Sequence, residues 1–421
     1  MSDKQIYAAI EAADHEVRLI VGEFFNTRFN IIKVERIPVE GFTSEKITDP
    51  SAVTEGIRAA AEDASKMIGA DIKRVIVAMP SYRMRRYTVK STVPVNGIDG
   101  TVTVEDIREA VRKAQSINIG KELALIQTVC VKYTVNGITS RRIPIGERAS
   151  QLTVDIDLLC ADRQVSFDVV TCIENAGLQV IDIFPDVFAV AKEAALFEQA
   201  VDQNVIVLKM ERCSTTLGLL SRGRLTTCTV ESEGVGTIAS AVCEKYGLKP
   251  EVSAELVKYS ARLNEKINST NPVYIWADAE GGTQKINEQE LCECIRPNVE
   301  KWLDDMQKLC DPILQAGPTA VIITGEGGEM QGLKDLLQRK LNCEVRNYIP
   351  DTLGGRNAGL TACLGLFYAY KDKQPITGFA DNSLDMDAFI DAVSYRDKET
   401  PGNPEDTITK KLKGILFDGK K

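Results

Sequence analysis

The sequence predicts an α/β chain of two matching halves around a cleft, with a small α+β unit inserted into the first half and a C-terminal amphipathic helix on a flexible tether. Three observations predict it. A succession of three strands, a helix and a buried strand near the start returns beyond residue 200, a helix flanked by strands lies between the two successions, and the stretch from Ile408 to Lys421 places its apolar residues on one helical face.

The first succession reads as strands over Gln5–Glu11, Glu16–Glu23 and Phe29–Ile37, each rich in β-branched and aromatic positions. A helix follows from Pro50, capped by Asp49, to Ile68, and the apolar run Lys73–Met79 gives a buried strand that stops at Pro80. The second succession has strands over Asn204–Met210, Thr215–Leu220 and Arg224–Val230, then helices, the buried strand Thr319–Thr324 and a helix over Glu329–Leu341. Between the two, Thr103 with Asp106 three residues on starts a helix reaching Ile117, flanked by strands Leu123–Val135 and Leu152–Cys160.

Composition narrows the function. At 421 residues and 44% hydrophobic, the chain buries large cores in more than one domain. A net charge of −9, with nothing basic and extended outside the tail, argues against nucleic acid as a partner. No signal-peptide pattern and no apolar run of about eighteen residues is present, which predicts a cytoplasmic chain that does not cross a membrane. The 11 cysteines are scattered without a CxxC, so neither a redox pair nor a zinc knuckle can be drawn and no metal site is expected. His15, the 1 histidine, removes Ser-His-Asp, Cys-His and multi-histidine chemistry together.

Ile408, Leu412, Ile415 and Leu416 share the apolar face of the terminal helix, with Phe417 beside them, while Lys410, Lys411 and Lys413 fall off it. A helix this short spans only about half a bilayer, so it is expected to lie in an anionic membrane surface with its lysines toward the headgroups, the alternative being a C-terminal helix docked on its own protein. Residues 371–406 in front carry Asp372, Asp381, Asp385, Asp387, Asp391, Asp397, Glu399, Glu405 and Asp406 with three prolines, and read as an acidic flexible linker. Within it Leu384 to Ile390 is apolar enough to be a segment that folds on contact with a partner.

On these residues the chain resembles the bacterial cell-division protein FtsA, a membrane-bound member of the actin and Hsp70 superfamily. The first hairpin, Ile10-Glu11-Ala12-Ala13-Asp14 through Val21-Gly22-Glu23, keeps the frame of that family. Further matches follow in order: Thr103-Val104-Glu105-Asp106, Tyr133-Thr134-Val135-Asn136-Gly137, Glu174-Asn175-Ala176-Gly177-Leu178, Ile323-Thr324-Gly325-Glu326-Gly327, Leu353-Gly354-Gly355, and Leu364-Gly365-Leu366-Phe367-Tyr368. The resemblance implies actin-like duplicated domains: 1-82 with 163-200 as the first (1A), 83-162 as the inserted subdomain (1C), 201-233 with 318-370 as the second (2A), and 234-317 as its outer subdomain (2B). Residues 407-421 would be the membrane foot.

The departures bear on chemistry. A phosphate-binding hairpin needs glycine for close approach of amides, a hydroxyl to bond the phosphate, and a carboxylate to hold the magnesium water shell. Here the first hairpin has Ala13 and Asp14 instead of glycine and a hydroxyl, and the second reads Lys209-Met210-Glu211-Arg212-Cys213-Ser214-Thr215-Thr216 where the family has D-x-G-G-G-T-T-D. Only the adenosine-side turn keeps glycines, Gly325 and Gly327, with Glu326 between them. Three readings stay open: ordinary turns freed of any ligand; a cleft closed internally, with Glu11 and Asp14 facing Lys209 and Arg212; or weak ATP binding with Lys209 and Arg212 taking phosphate charge. None provides for hydrolysis, so a pseudo-ATPase with no catalytic residue and no required cofactor is expected.

The resemblance further implies an adaptor on the cytoplasmic face of the membrane at the division site. Its partners would be the FtsZ C-terminal peptide, its own copies in a filament, the membrane and later division proteins. The FtsZ peptide docks in this family on the outer subdomain, where Asn298 and Lys301 stand at the positions of R-x-x-E on a helix expected from Asn287 to Leu309. The alternatives are an active actin-like ATPase and a membrane-bound scaffold for another envelope machine such as pilus assembly.

Overall fold

The structure, a computed structural model, describes residues 5–25, 28–264, 269–277, 281–378, 382–386 and 389. The first half opens with β1 (Gln5–Ala12), β2 (Glu16–Phe25) and β3 (Arg28–Pro38), then the small hairpin β4 (Phe42–Thr43) and β5 (Lys46–Ile47). Helix α1 (Pro50–Ile68) starts where Asp49 accepts the Ser51 and Ala52 amides and ends at Gly69 with φ 85°, followed by β6 (Arg74–Met79). The insert comprises β7 (Arg85–Pro94), α2 (Val104–Gln115), β8 (Leu123–Val135), β9 (Ile138–Ser140) and β10 (Gln151–Asp162). Thr103 and Asp106 form the capping box of α2. The chain returns through α3 (Arg163–Asn175), β11 (Gln179–Pro185), α4 (Asp186–Glu193) and α5 (Leu196–Gln199).

The second half repeats the plan with β12 (Asn204–Met210), β13 (Thr215–Ser221) and β14 (Arg224–Glu231). Its outer part holds α6 (Val235–Tyr246), α7 (Pro250–Tyr259), β15 (Pro272–Ala277), β16 (Thr283–Asn287) and α8 (Glu288–Ala316), and then come β17 (Thr319–Thr324), α9 (Leu333–Leu341), β18 (Val345–Asn347) and α10 (Thr361–Thr377). The duplication is visible in strand order: β3-β2-β1-β6-β11 in one sheet, β14-β13-β12-β17-β18 in the other, with the insert's β7-β10-β8-β9 continuing the second sheet beyond β14. In each half the first three strands are antiparallel and the last two parallel.

Period-two alternation puts both sheets between apolar layers. In β1, Ile6, Ala8 and Ile10 pack beneath α1 and α3, whereas Tyr7 and Ala9 face a core shared with α4 and α10. In β12, Val205 and Val207 enter that same shared core and Ile206, Leu208 and Met210 the outer one. Helices α4 and α10 thus fill the space between two facing sheets, and the first polar residues beyond that core meet at its top.

Several expectations are corrected. Strand β7 pairs along β10 from Gln151↔Pro94 to Cys160↔Arg85, giving the insert a strand the sequence reading did not draw. Helix α9 begins at Leu333, because Gly325 and the tight turn over Glu326–Glu329 come first. Helix α8 runs beyond Leu309 to Ala316. The acidic linker expected from residue 371 is helix to Thr377: Gln374 is buried on Tyr7, and Asp372 and Lys373 pair with Lys192 and Asp182.

Beyond α10 the chain is again engaged. Asn382 accepts the Ile6 amide, Ser383 bonds the Ile6, Ala8 and Lys73 backbone, and Leu384, 2% exposed, bridges Ile72 within the core beneath α1 and α3. Met386 and Phe389 pack on the same core. The segment read as awaiting a partner is thus docked, in its described residues, on the first half; the membrane foot Ile408–Phe417 lies outside the described residues.

Candidate functional site

Strand parity decides which side chains reach the cleft. Glu11 follows Tyr7 and Ala9 on the inner face of β1, Arg18 precedes Ile20 on the inner face of β2, and Lys209 follows Val205 and Val207 on the inner face of β12. Glu11 and Arg18 are also direct cross-strand partners. All three are nearly or wholly buried.

Lys209 Nζ donates to Glu11 Oε1 at 2.6 Å and to Asp186 Oδ2 at 2.8 Å. Arg18, 0% exposed, donates from Nε to Glu16 at 2.6 Å, from its two terminal nitrogens to both oxygens of Glu211 at 3.1 and 2.6 Å, and to the Gly359 carbonyl at 2.7 Å. Its Nη1 also lies 3.3 Å from Glu11 Oε2. This fork-to-fork pairing suits a guanidinium and supplies the compensation that a desolvated charge requires. Burial raises the Glu11 carboxyl above its ordinary range despite Lys209 and Arg18 beside it. Burial also acts upward on Glu16, yet Arg18 and Arg36 hold it down to about 2.

Asp14 lies at the tip of the first hairpin and makes a different kind of contact. Its Oδ2 accepts the Cys213 amide and the Ser214 hydroxyl, each at 2.9 Å, and its Oδ1 accepts the Ser44 amide and hydroxyl at 3.0 and 3.1 Å. Arg212 turns away from Asp14 and Glu11: it binds Glu326 at 2.5 and 2.9 Å. Lys258 reaches Glu326 at 3.1 Å and His15 Nε2 stands 3.8 Å from it. Burial pushes Glu326 up, but its hydrogen bonds to Arg212, with His15 and Lys258 nearby, bring it down to about 2. Burial lowers the His15 pKa.

The glycines on the third side are spoken for by protein. A Cβ on Gly325, whose φ is 78°, would stand 2.6 Å from the Met210 carbonyl oxygen, and one on Gly327 would stand 2.2 Å from Met210 Sδ. Their small size thus serves close packing on β12. Beside them opens a cavity of about 990 Å³, lined by Tyr259, Arg262, Glu329, Lys334, Arg346 and Arg356 among others.

The fold class implies a magnesium-bound nucleotide in such a cleft, and the donor set does not fit one. Amide and hydroxyl donors of the second hairpin are bonded to Asp14, Lys209 stands where that hairpin would carry a magnesium-orienting carboxylate, and the apex is packed with paired side chains. Of the expected cleft pairs, Glu11 and Lys209 meet; Asp14 and Arg212 do not meet each other or that pair, because each finds a nearer partner. The sequence reading missed Arg18, Asp186 and Glu211 as members of the cluster. An arginine between Val17 and Leu19 in an otherwise apolar strand, at the parity of Glu11, was the available signal.

Asn298 and Lys301 lie in the first half of α8. The Asn298 amide donates to the Thr237 carbonyl at 2.9 Å, and Lys301, 61% exposed in its side chain, pairs with Glu233. The expected acid-to-base change therefore has an internal partner on the loop before α6.

Residues 81–160, covering β7 to β10, match the family model described as the SHS2 domain inserted in FtsA. The chain is similar to the cell division protein FtsA of Bacillus subtilis (strain 168), 24% identical over 371 residues that cover 87% of this chain and 83% of the relative. Among solved structures, the PilM-PilN type IV pilus biogenesis complex aligns with a TM-score of 0.57 at 16% identity, covering 86% of this chain and 97% of that one. MreB5 of Spiroplasma citri bound to ADP aligns with a TM-score of 0.50 at 11% identity, covering 89% and 99%. These two likenesses speak to the fold. Taken with the duplicated sheets and the insert, they give the chain an actin-like fold, and most of its length is similar to the FtsA cell-division proteins.

Proposed function

We propose that this chain is a cell-division adaptor that links FtsZ filaments to the cytoplasmic face of the membrane at the division site and does not hydrolyse ATP. The observation that carries the reading is the FtsA-type insert at residues 81–160 within a similarity to FtsA spanning 87% of the chain. The membrane contact is assigned to the apolar face of Ile408, Leu412, Ile415, Leu416 and Phe417 with Lys410, Lys411 and Lys413 beside it. One such foot is a marginal anchor, and head-to-tail self-association gives neighbouring feet the avidity that stable attachment needs. The FtsZ C-terminal peptide is assigned to the outer subdomain around Asn298 and Lys301, and later division proteins complete the set of partners. The loss of hydrolysis rests on the donor set of the cleft, where Lys209 and Asp14 are bonded within the protein.

The test is co-sedimentation of FtsZ with anionic vesicles. The chain should carry FtsZ down with the vesicles, and a Leu412→Glu, Leu416→Glu variant should leave both in solution. FtsZ remaining in the supernatant with the unaltered chain on the vesicles would remove FtsZ as the partner and favour the pilus-type scaffold, which the PilM-PilN likeness supports at the level of fold alone.

A further inference from the structure

We infer that the two halves are held closed by their own side chains, with Arg18 as the bridging cation and the Asp14 carboxylate as the resident anion of the second hairpin, so that closure needs no bound ligand. The inference builds on the non-hydrolysing reading of the cleft. It does not depend on which partner the chain recruits, so the two can fail separately.

The exchange between the halves is reciprocal. The first half sends Arg18 into Glu211 and the Gly359 carbonyl of the second, and the second sends Lys209 into Glu11 and Asp186. Parting the halves would take Glu211 and the Gly359 carbonyl from Arg18, leaving it Glu16 and Glu11 of its own half, and would take Glu11 and Asp186 from Lys209, leaving it Glu211 at 3.7 Å, and a buried charge that loses a partner is costly. Gly359 leaves room for this crossing: a Cβ there would stand 3.3 Å from Arg18 Cζ and 2.9 Å from Asn357 Oδ1.

Asp14 completes the closure from the anionic side. An amide N–H and a hydroxyl at a hairpin turn are the donors with which such a turn holds a phosphate oxygen, and here a carboxylate from the facing half accepts both, at 2.9 Å each. Ser44 bonds its other oxygen and also lies 2.9 Å from the Ser214 hydroxyl, so the contact is braced on both sides. A free ligand stabilises a closed state according to its concentration, whereas groups on the same chain are present at a constant effective concentration.

Hydrogen exchange and small-angle scattering on the full chain test this. Without nucleotide, the unaltered chain should scatter as a closed particle and protect the amides of Ala13–Glu16 and Arg212–Thr215, and millimolar ATP with magnesium should change neither. Arg18→Met should expand the particle and speed exchange at those turns by roughly tenfold or more. Asp14→Asn, which keeps the side chain's size, should deprotect Cys213 with the far-ultraviolet circular dichroism unchanged, and it decides the matter where Arg18→Met fails to fold. A ligand-free chain that is open and compacts on adding ATP with magnesium, or an Asp14→Asn variant with full protection at Cys213, would overturn the inference.

Discussion

The apex of the cleft and the cavity next to it use the same residue types in opposite ways. At the apex, Arg18 and Lys209 are desolvated and every charge has a partner within the protein. In the cavity, Arg262, Lys334, Arg346 and Arg356 line an open space of about 990 Å³; the three arginines are exposed, and Lys334 is half-buried and pairs with Asp335 at 3.5 Å. Arg346 pairs with Glu344 at the surface, and Arg356 has no ion-pair partner among the described residues. The difference teaches that sequence charge alone does not mark a ligand site. What matters is whether the fold has already supplied the counter-charge.

That contrast can be broken by substitution, beginning with the largest effect. Lys209→Ala leaves Asp186 buried without its cation and Glu11 with Arg18 alone, and should cost on the order of 3–5 kcal/mol in urea denaturation. Adding Glu11→Ala should recover part of the loss, and strictly additive single effects would show that the two groups do not act as a pair. Acid comes next. Glu16 and Glu326 sit at about 2 in the folded chain against an ordinary 4.5, so the stability they contribute is present above about 4.5 and lost as the pH falls toward 2. The loss is at most about 3 kcal/mol for each group. His15, lowered by burial, adds an acid-side loss below its ordinary 6.5, while Glu11, raised by burial, offsets part of it by holding its proton more readily when folded. A Glu326→Gln variant should flatten the fall of Tm with acidity; an unchanged acid limb would show that the apex charges do not govern it.

Smaller effects sharpen the contrast from the exposed side. Lys301→Glu replaces an exposed partner of Glu233 with a like charge and should weaken binding of an acidic FtsZ peptide, chiefly through a slower association rate that depends on salt. An unchanged rate measured by surface plasmon resonance would move the peptide site away from α8. Arg356→Ala at the cavity should change stability by no more than about 0.5 kcal/mol. A loss comparable to that of Lys209→Ala would mean the cavity cations are as structural as those at the apex.

Much of the fold could be read from the chain. Helix α1 runs from Pro50 to Ile68 with Asp49 as its cap, as the sequence predicts, and strands Asn204–Met210, Leu123–Val135 and Thr319–Thr324 have their expected bounds, because period-two burial and short capping signals are local. Strand β7 was harder to read: its burial alternates from Tyr87 to Pro94, but a polar residue, Ser91, holds one inner position and its pairing partner β10 is distant in sequence. The docking of Asn382–Leu384 was hidden for a related reason. Its acidic surroundings suggest a solvated tether, yet its backbone bonds go to Ile6 and Lys73 at the other end of the chain.

For this protein the sequence by itself determined the duplicated α/β plan, the position of the insert, and the loss of glycine from both hairpins and of carboxylates from the second, and it offered the meeting of Glu11 with Lys209 as one of three readings. These follow from local periodicity and from strand parity at the ends of two corresponding strands. Only the tertiary structure decided that Asp14 would bond the Cys213 amide, that Arg212 would turn to Glu326, and that Arg18 would span the cleft to Glu211. Each of those choices depends on which of several nearby opposite charges lies within about 3 Å once the halves are packed, and Coulomb energy in a desolvated site changes too steeply with distance and burial for residue type alone to rank the partners.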